Sequence, residues 1–225
     1  MRDALDVLDA ARAVIFDCDD TVIATAKSRW DVLIATAGTF GVALTEERIR
    51  GAWGLPFDSL IRALVPTIGH DDYVRRYRAA MLRTAAEPCA GAAELLRQLS
   101  ARAVTMEIVS SSSRDLIMQD LKQLELDRYF ERVYGQEQTG VHKPDPKVLY
   151  VVIGDLLERG FQPNDLVYIG DSVRDYTVAA GNDIEFIAVL SGLESREELN
   201  AAGVPNERIV DELTELLGHR PRHVD

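Results

Sequence analysis

The 225-residue chain reads as a doubly wound parallel α/β sheet carrying an inserted all-helical domain. Three observations lead there. Continuous apolar runs of strand length, such as Ala13-Val14-Ile15-Phe16 and Phe186-Ile187-Ala188-Val189-Leu190, alternate with helix-length segments, as strands buried on both faces and joined by right-handed crossovers do. The stretch from Ala26 to Ala86 shows helical spacing and no convincing strand. Residues that can do chemistry follow the C-terminal ends of the apolar runs, where open parallel sheets bind ligands.

In chain order, a short helix with a polar face begins near Leu5 and leads into a strand that stops at Asp17-Cys18-Asp19-Asp20-Thr21. Trp30, Leu33, Ile34 and Ala37, then Leu60, Ile61 and Leu64, then Tyr73, Tyr77 and Met81 keep helical spacing. Gly51, Gly54, Pro56, Pro66 and Gly69 divide that stretch into about four helices. The expected domains are therefore an α/β core of residues 1–23 and 88–225 and a helical insert of 24–87. Past Pro88 the spacing predicts helix over Ala92–Leu99, strand over Thr105–Val109, helix over Arg114–Leu126 and a short strand near Val133. Helix over Asp145–Glu158 and strand over Leu166–Ile169 come next. A further helix, a strand over Glu185–Leu190, and helices over Glu197–Ala202 and Glu212–Leu217 complete the pattern, with no internal repeat or low-complexity tract.

Composition narrows the function. Hydrophobic residues are 47% and charged residues 28%, enough apolar material for a core. Lys and Arg number 25 against 37 Asp and Glu, a net charge of −12 that repels a phosphate backbone, so no nucleic-acid partner is expected. No apolar run reaches the roughly 18 to 20 residues that cross a bilayer. Asp3, Asp6 and Asp9 stand where a secretory signal would be basic and then apolar, and Cys18 and Cys89 form no disulfide framework, so the expected location is cytoplasmic. His70, His142, His219 and His223 share no zinc-ligand spacing.

Four segments at strand ends carry the candidate chemistry. Asp17 and Asp19, two apart at the end of a strand, can face one side and invite a cation, or else form an acidic turn that caps the strand. The run Ser110-Ser111-Ser112-Ser113 precedes a helix and offers a hydroxyl and free N–H groups to a phosphate, or simply a helix N-cap. Lys143, one of four lysines, lies just before a helix start, as an anion partner or a solvated turn residue. In Gly170-Asp171-Ser172-Val173-Arg174-Asp175 the second aspartate lies one helical turn beyond the first, able to share its cation or accept from its waters. The alternative is Asp171 as an N-cap with Asp175 exposed in the first turn. Among the aromatics of the insert, Trp30, Trp53, Phe57 and Tyr77 suit packing, and Trp53 beside Gly54 is the one placed to face a substrate.

The order Asp-x-Asp-x-Thr, strand-end Ser, Lys-Pro and Gly-Asp-Ser-x-x-Asp resembles the haloacid dehalogenase superfamily of phosphotransferases over nearly the whole chain. The insert is similar to that superfamily's helical cap, and Gly54-Leu55-Pro56 and Ser195-Arg196-Glu197-Glu198-Leu199 are similar to phosphoglycolate-phosphatase-like members. The resemblance implies a Rossmann-like core and a phosphatase acting on a small phosphate ester, as a monomer or homodimer. It implies Asp17 as nucleophile, and Mg²⁺ held by the Asp17 carboxylate, the Asp19 carbonyl and the Asp171 carboxylate, with Asp175 as a ligand or just behind. Asp19 would be the general acid and base. Ser110, the Ser111 amide and Lys143 would hold the phosphoryl oxygens. Arg29, twelve residues past the nucleophile, is the candidate for reading the rest of the substrate, with Trp53 and Gly54.

Departures from the family pattern separate the alternatives. Asp20 replaces the commonest glycine, Ala24 stands where many relatives are acidic, and Arg29 sits about where sugar-phosphate mutases carry a histidine, which argues against mutase activity. A dehalogenase needs no acid at Asp19, since halide leaves without a proton. A phosphonatase needs an insert lysine, and only Lys27 stands near. A non-enzymatic phospho-aspartate receiver unites similar residues but lacks such an insert.

Overall fold

A computed structural model describes residues 2–53, 55 and 57–218. The chain divides into two compact units, Met1–Ala24 with Glu87–Asp225, and Thr25–Ala86. The first holds α1 (Ala4–Ala10) and β1 (Ala13–Phe16); the second holds α2 (Ala26–Gly38), α3 (Glu46–Ala52), α4 (Phe57–Leu64) and α5 (His70–Met81). The rest of the first unit runs α6 (Ala92–Ala101), β2 (Thr105–Val109), α7 (Arg114–Gln123), β3 (Arg132–Tyr134), α8 (Gln136–Thr139), α9 (Tyr150–Glu158), β4 (Leu166–Gly170), α10 (Val173–Ala180), β5 (Glu185–Val189), α11 (Arg196–Ala202) and β6 (Ile209–Val210).

The six strands form one parallel sheet in the order β3-β2-β1-β4-β5-β6, with Ala13 opposite Thr105 on one side and Leu166 on the other. Chain order reverses across β1 and β4, so their C-terminal ends flank the crevice where doubly wound sheets hold ligands. Every residue of β1, β2 and β4 is buried, which is why these strands read as unbroken apolar runs. Ile15, Tyr168 and Phe186 meet Val148, Val152 and Leu156 in a core on one face.

Glu107 is the polar exception in β2, wholly buried, and the Arg159 guanidinium donates to it at 2.6 Å. Arg159 also bonds Glu131 and reaches Asp155 at 3.2 Å, and Arg132 bonds Asp155 in turn. Burial pushes the Glu107 carboxyl up to about 7 despite that guanidinium.

The structure differs from the sequence reading at four places. Asp145–Glu158 is a 3₁₀ turn, Pro146–Leu149, before α9, because Asp145 accepts from the Lys147 N–H at 2.9 Å and Pro146 opens the turn. The helix expected to Leu126 ends at Gln123, and Glu125 enters the left-handed region at φ +57° without the glycine that would have marked it. Residues Leu213–Leu217 are 3₁₀, and β6 is two residues long, too short to leave a periodic signal.

In the helical unit α2 packs on α5. Tyr73 is fully buried and its hydroxyl donates to the Leu33 carbonyl at 2.7 Å. Trp30 meets Trp53 edge-on at 5.6 Å and Phe57 meets Tyr77 at 5.5 Å.

Candidate active site

Asp17 continues β1 by one residue, its N–H donating to the Ile169 carbonyl of β4 at 2.8 Å. The chain then turns sharply: the N–H groups of Thr21, Val22 and Ile23 all point at the Cys18 carbonyl. Asp20 takes φ +58°, the left-handed region, which explains why a glycine is common there and why aspartate is among the few replacements that fit. The Ser191 hydroxyl donates to the Asp20 carbonyl and ties the turn to the end of β5. Cys18 is buried between the two aspartates.

Lys143, 9% exposed, supplies the only ammonium at the cluster among the described residues, and donates to Asp17 Oδ1 and Asp175 Oδ1, both at 2.6 Å. Asp175 is enclosed. The Tyr168 hydroxyl donates to Oδ1 at 2.8 Å, and the Ser172 N–H and hydroxyl donate to Oδ2. Ser172 in turn accepts from the Asp175 N–H, so the helix cap is Ser172 and the Asp171 carboxylate takes no part in it. Gly192 makes room for that carboxylate: a Cβ there would lie 1.8 Å from Asp171 Oδ2.

Asp17, Asp171 and Asp175 each offer an oxygen within 4.8 Å of the others, an all-carboxylate set that suits a hard divalent cation. The electrostatics ask for one. Burial, then the charges of Asp175 and Asp19, push Asp17 up to about 7 against the pull of Lys143. Burial and the negative charges of Asp175, Asp17 and Asp20 hold Asp171 well above the usual carboxylate range. For Asp175, burial is outweighed by Lys143 and by its hydrogen bonds, which keep it below that range.

Ser110 extends the β2–β3 pairing through its N–H to the Tyr134 carbonyl at 3.0 Å, and its hydroxyl lies 3.3 Å from Asp19 Oδ2. Ser112 was not singled out from its run, yet its hydroxyl donates to the same oxygen at 2.6 Å and its N–H donates to Ser110 Oγ at 3.0 Å. Ser113 is the N-cap of α7 and makes no side-chain cap bond, while Ser111 is exposed. A run of four serines held no cue to which two would meet Asp19. Tyr168 did leave a cue, since a phenol inside an apolar strand needs a buried partner for its hydroxyl.

The structure thus brings Asp17, Asp19, Ser110, Lys143, Asp171 and Asp175 to the C-terminal edge of the sheet. Arg29 and Trp53 belong to the helical unit, half-buried on α2 and just after α3, with Trp53 against Trp30. Gly54 lies outside the described residues.

A carboxylate cluster and a buried lysine at the switch point of a parallel sheet define an enzyme that acts on an anionic group. The haloacid dehalogenase-like hydrolase family matches residues 14–189, and the chain belongs to that family. It is 25% identical to phosphoglycolate phosphatase 1 of Pseudomonas aeruginosa over 218 residues, 92% of this chain and 78% of that protein. It is 25% identical to a phosphorylated carbohydrates phosphatase of Thermotoga maritima over 91% of this chain and 99% of that one. A phosphoglycolate phosphatase of Pectobacterium atrosepticum is 30% identical over 132 residues, 58% of this chain and 55% of that protein's length. Among solved structures, CbbY from Rhodobacter sphaeroides in complex with phosphate shares the fold at TM-score 0.77 and 18% identity, covering 92% of this chain and 96% of that one. No helix among the described residues is long and apolar enough to cross a membrane.

Proposed function

We propose that this phosphatase hydrolyses a small phosphate monoester, of a phosphorylated acid or carbohydrate, through an aspartyl phosphate on Asp17 with Mg²⁺ bound. The observation that carries the reading is the convergence of Asp17, Asp171 and Asp175 on one point with Lys143 between two of them. The names of the relatives from Pseudomonas aeruginosa and Thermotoga maritima support the substrate class.

Asp17 Oδ attacks phosphorus once the negative charge on both partners is offset. The Asp17 and Asp171 carboxylates and the Asp19 carbonyl would hold Mg²⁺, which when bound would supply charge neutralisation there. Lys143 adds to it, and Asp175, with both oxygens taken up by Lys143, Tyr168 and Ser172, anchors the lysine beside Asp17. Asp19 gives its proton to the departing alkoxide and afterwards takes one from the water that attacks the acyl phosphate. Ser110 Oγ and the Ser111 N–H bind phosphoryl oxygens.

Purified protein assayed on a panel of phosphate monoesters with Mg²⁺ and with chelator tests this. Release of phosphate that depends on Mg²⁺ is expected for at least one small ester. Absence of turnover across the panel, or turnover indifferent to chelation, would contradict the reading.

A further inference from the structure

The outer face of α9 is apolar and has no partner among the described residues. Tyr150 is 60% exposed, Leu157 41% and Val151 39%, three of the five exposed large hydrophobic residues among those described. Each lies three or four residues from Gly154, so they share one face with that glycine at its centre, and nothing stands within 4 Å of where its Cβ would sit. Lys147 continues the stripe at the N-terminal end, in the 3₁₀ turn where residues three apart eclipse, and Glu158 closes it at the other. Neither Lys147 nor Glu158 makes an ion pair among the described residues, whereas Asp155 beside them is held by Arg132 and Arg159.

We propose that this face is a homodimer contact, in which two copies of α9 pack antiparallel about a two-fold axis through Gly154. The pattern is self-complementary under that rotation. Val151 of each copy falls level with Leu157 of the other on the opposite flank of the contact, and the absent side chain at Gly154 lets the backbones approach closely where they cross. At about 1.5 Å rise per residue, Glu158 lies about 6 Å from the centre, level with the other copy's Tyr150 and within reach of its Lys147. Each end of the stripe therefore meets its opposite charge. A parallel arrangement would set Lys147 against Lys147 and Glu158 against Glu158. One helix pair buries less than a standard interface, so a dissociation constant of about 10 to 100 μM is expected.

Sedimentation velocity of the full chain from about 1 to 300 μM tests the contact, with circular dichroism to establish that each variant is folded. A concentration-dependent monomer–dimer equilibrium is expected, weakened at least about tenfold by Leu157→Glu, which places a charge in the apolar contact. Lys147→Glu is expected to weaken it about three- to tenfold, and Lys147→Glu with Glu158→Lys to restore it, since the reversed pair still matches across the axis. A chain that stays monomeric throughout that range would overturn the proposal. So would a dimer indifferent to Leu157→Glu, or one in which the double reversal fails to recover what the single reversal lost.

Discussion

Two buried carboxylates of the sheet, Asp17 and Glu107, are each pushed up to about 7 by burial, and each meets a cation at 2.6 Å. Their surroundings differ in charge balance. Around Glu107, three carboxylates, Glu107, Glu131 and Asp155, share two guanidiniums, Arg159 and Arg132, and Asp155 and Glu131 are already bonded to them. In the cluster at Asp17, the three carboxylates of Asp17, Asp171 and Asp175 meet one ammonium among the described residues, and that ammonium is spent on two of them. The first group closes on itself and ties β2 to the end of α9. The second is left with excess negative charge at the C-terminal edge of the sheet, the condition for drawing in a cation whose charge can then offset that of an anionic substrate. A perturbed carboxyl alone distinguishes neither; the count of opposing charges and the position at the strand end do.

The sharpest way to break this comparison is to remove each acid by an isosteric amide. Asp17→Asn should fold normally and lose about 10⁴-fold or more of turnover, while Glu107→Gln should keep kcat/KM within about threefold. Steady-state assays on one active ester decide it, and comparable losses from the two would erase the distinction.

Asp19→Asn keeps the backbone carbonyl and loses the proton transfer, at an expected cost of about 10² to 10⁴-fold on an alkyl phosphate. The loss should shrink on a nitrophenyl ester, whose leaving group needs little protonation. Equal losses on both esters would remove Asp19 from general acid catalysis.

Glu107 predicts a pH dependence. Its carboxyl is raised above its unfolded value, so the folded protein binds the extra proton between about pH 4.5 and 7. That contribution is fully present below about 4.5 and fades as pH rises through 7, amounting to roughly 3 kcal/mol. Burial sets it, opposed by Arg159 and Arg132, which lower the carboxyl, and helped by Asp155, which raises it. Urea unfolding at pH 5 and pH 7.5 should show a smaller drop in stability for Glu107→Gln than for the wild type. The drop assigned to Glu107 should not respond to Mg²⁺, in contrast to any arising at Asp17.

The smallest expected effect concerns the backbone. Glu107 sits in regular strand, whereas Asp20 holds φ +58°. Asp20→Gly should stay within about 1 kcal/mol of wild type, and Asp20→Val should cost about 2 kcal/mol, because a β-branched side chain fits the left-handed region poorly. Thermal melts of the two variants compare them directly.

Much of this was legible in sequence because burial on both faces writes strands as unbroken apolar runs, and because sheet topology sets Asp17, Ser110 and Asp171 at strand ends. What was not legible came from long-range partners. Ser110 and Ser112 are set apart within their run by meeting Asp19, and Tyr168 meets Asp175 through a helix turn that residue spacing does not reveal. Nothing in the strand Thr105–Val109 signals that Arg159, 52 positions away, closes on Glu107. The two-residue β6 is fixed by pairing with β5, with no local pattern of its own.

The central claim is that the phosphoryl group passes through Asp17. The most direct measurement is rapid acid quench of enzyme mixed with an active ester and Mg²⁺, followed by peptide mass mapping. A phosphoryl adduct on the peptide carrying Asp17, formed at least as fast as turnover and absent in Asp17→Asn, is the predicted result. An adduct on another residue, or no adduct under single-turnover conditions with Asp17→Asn still hydrolysing the ester, would contradict it.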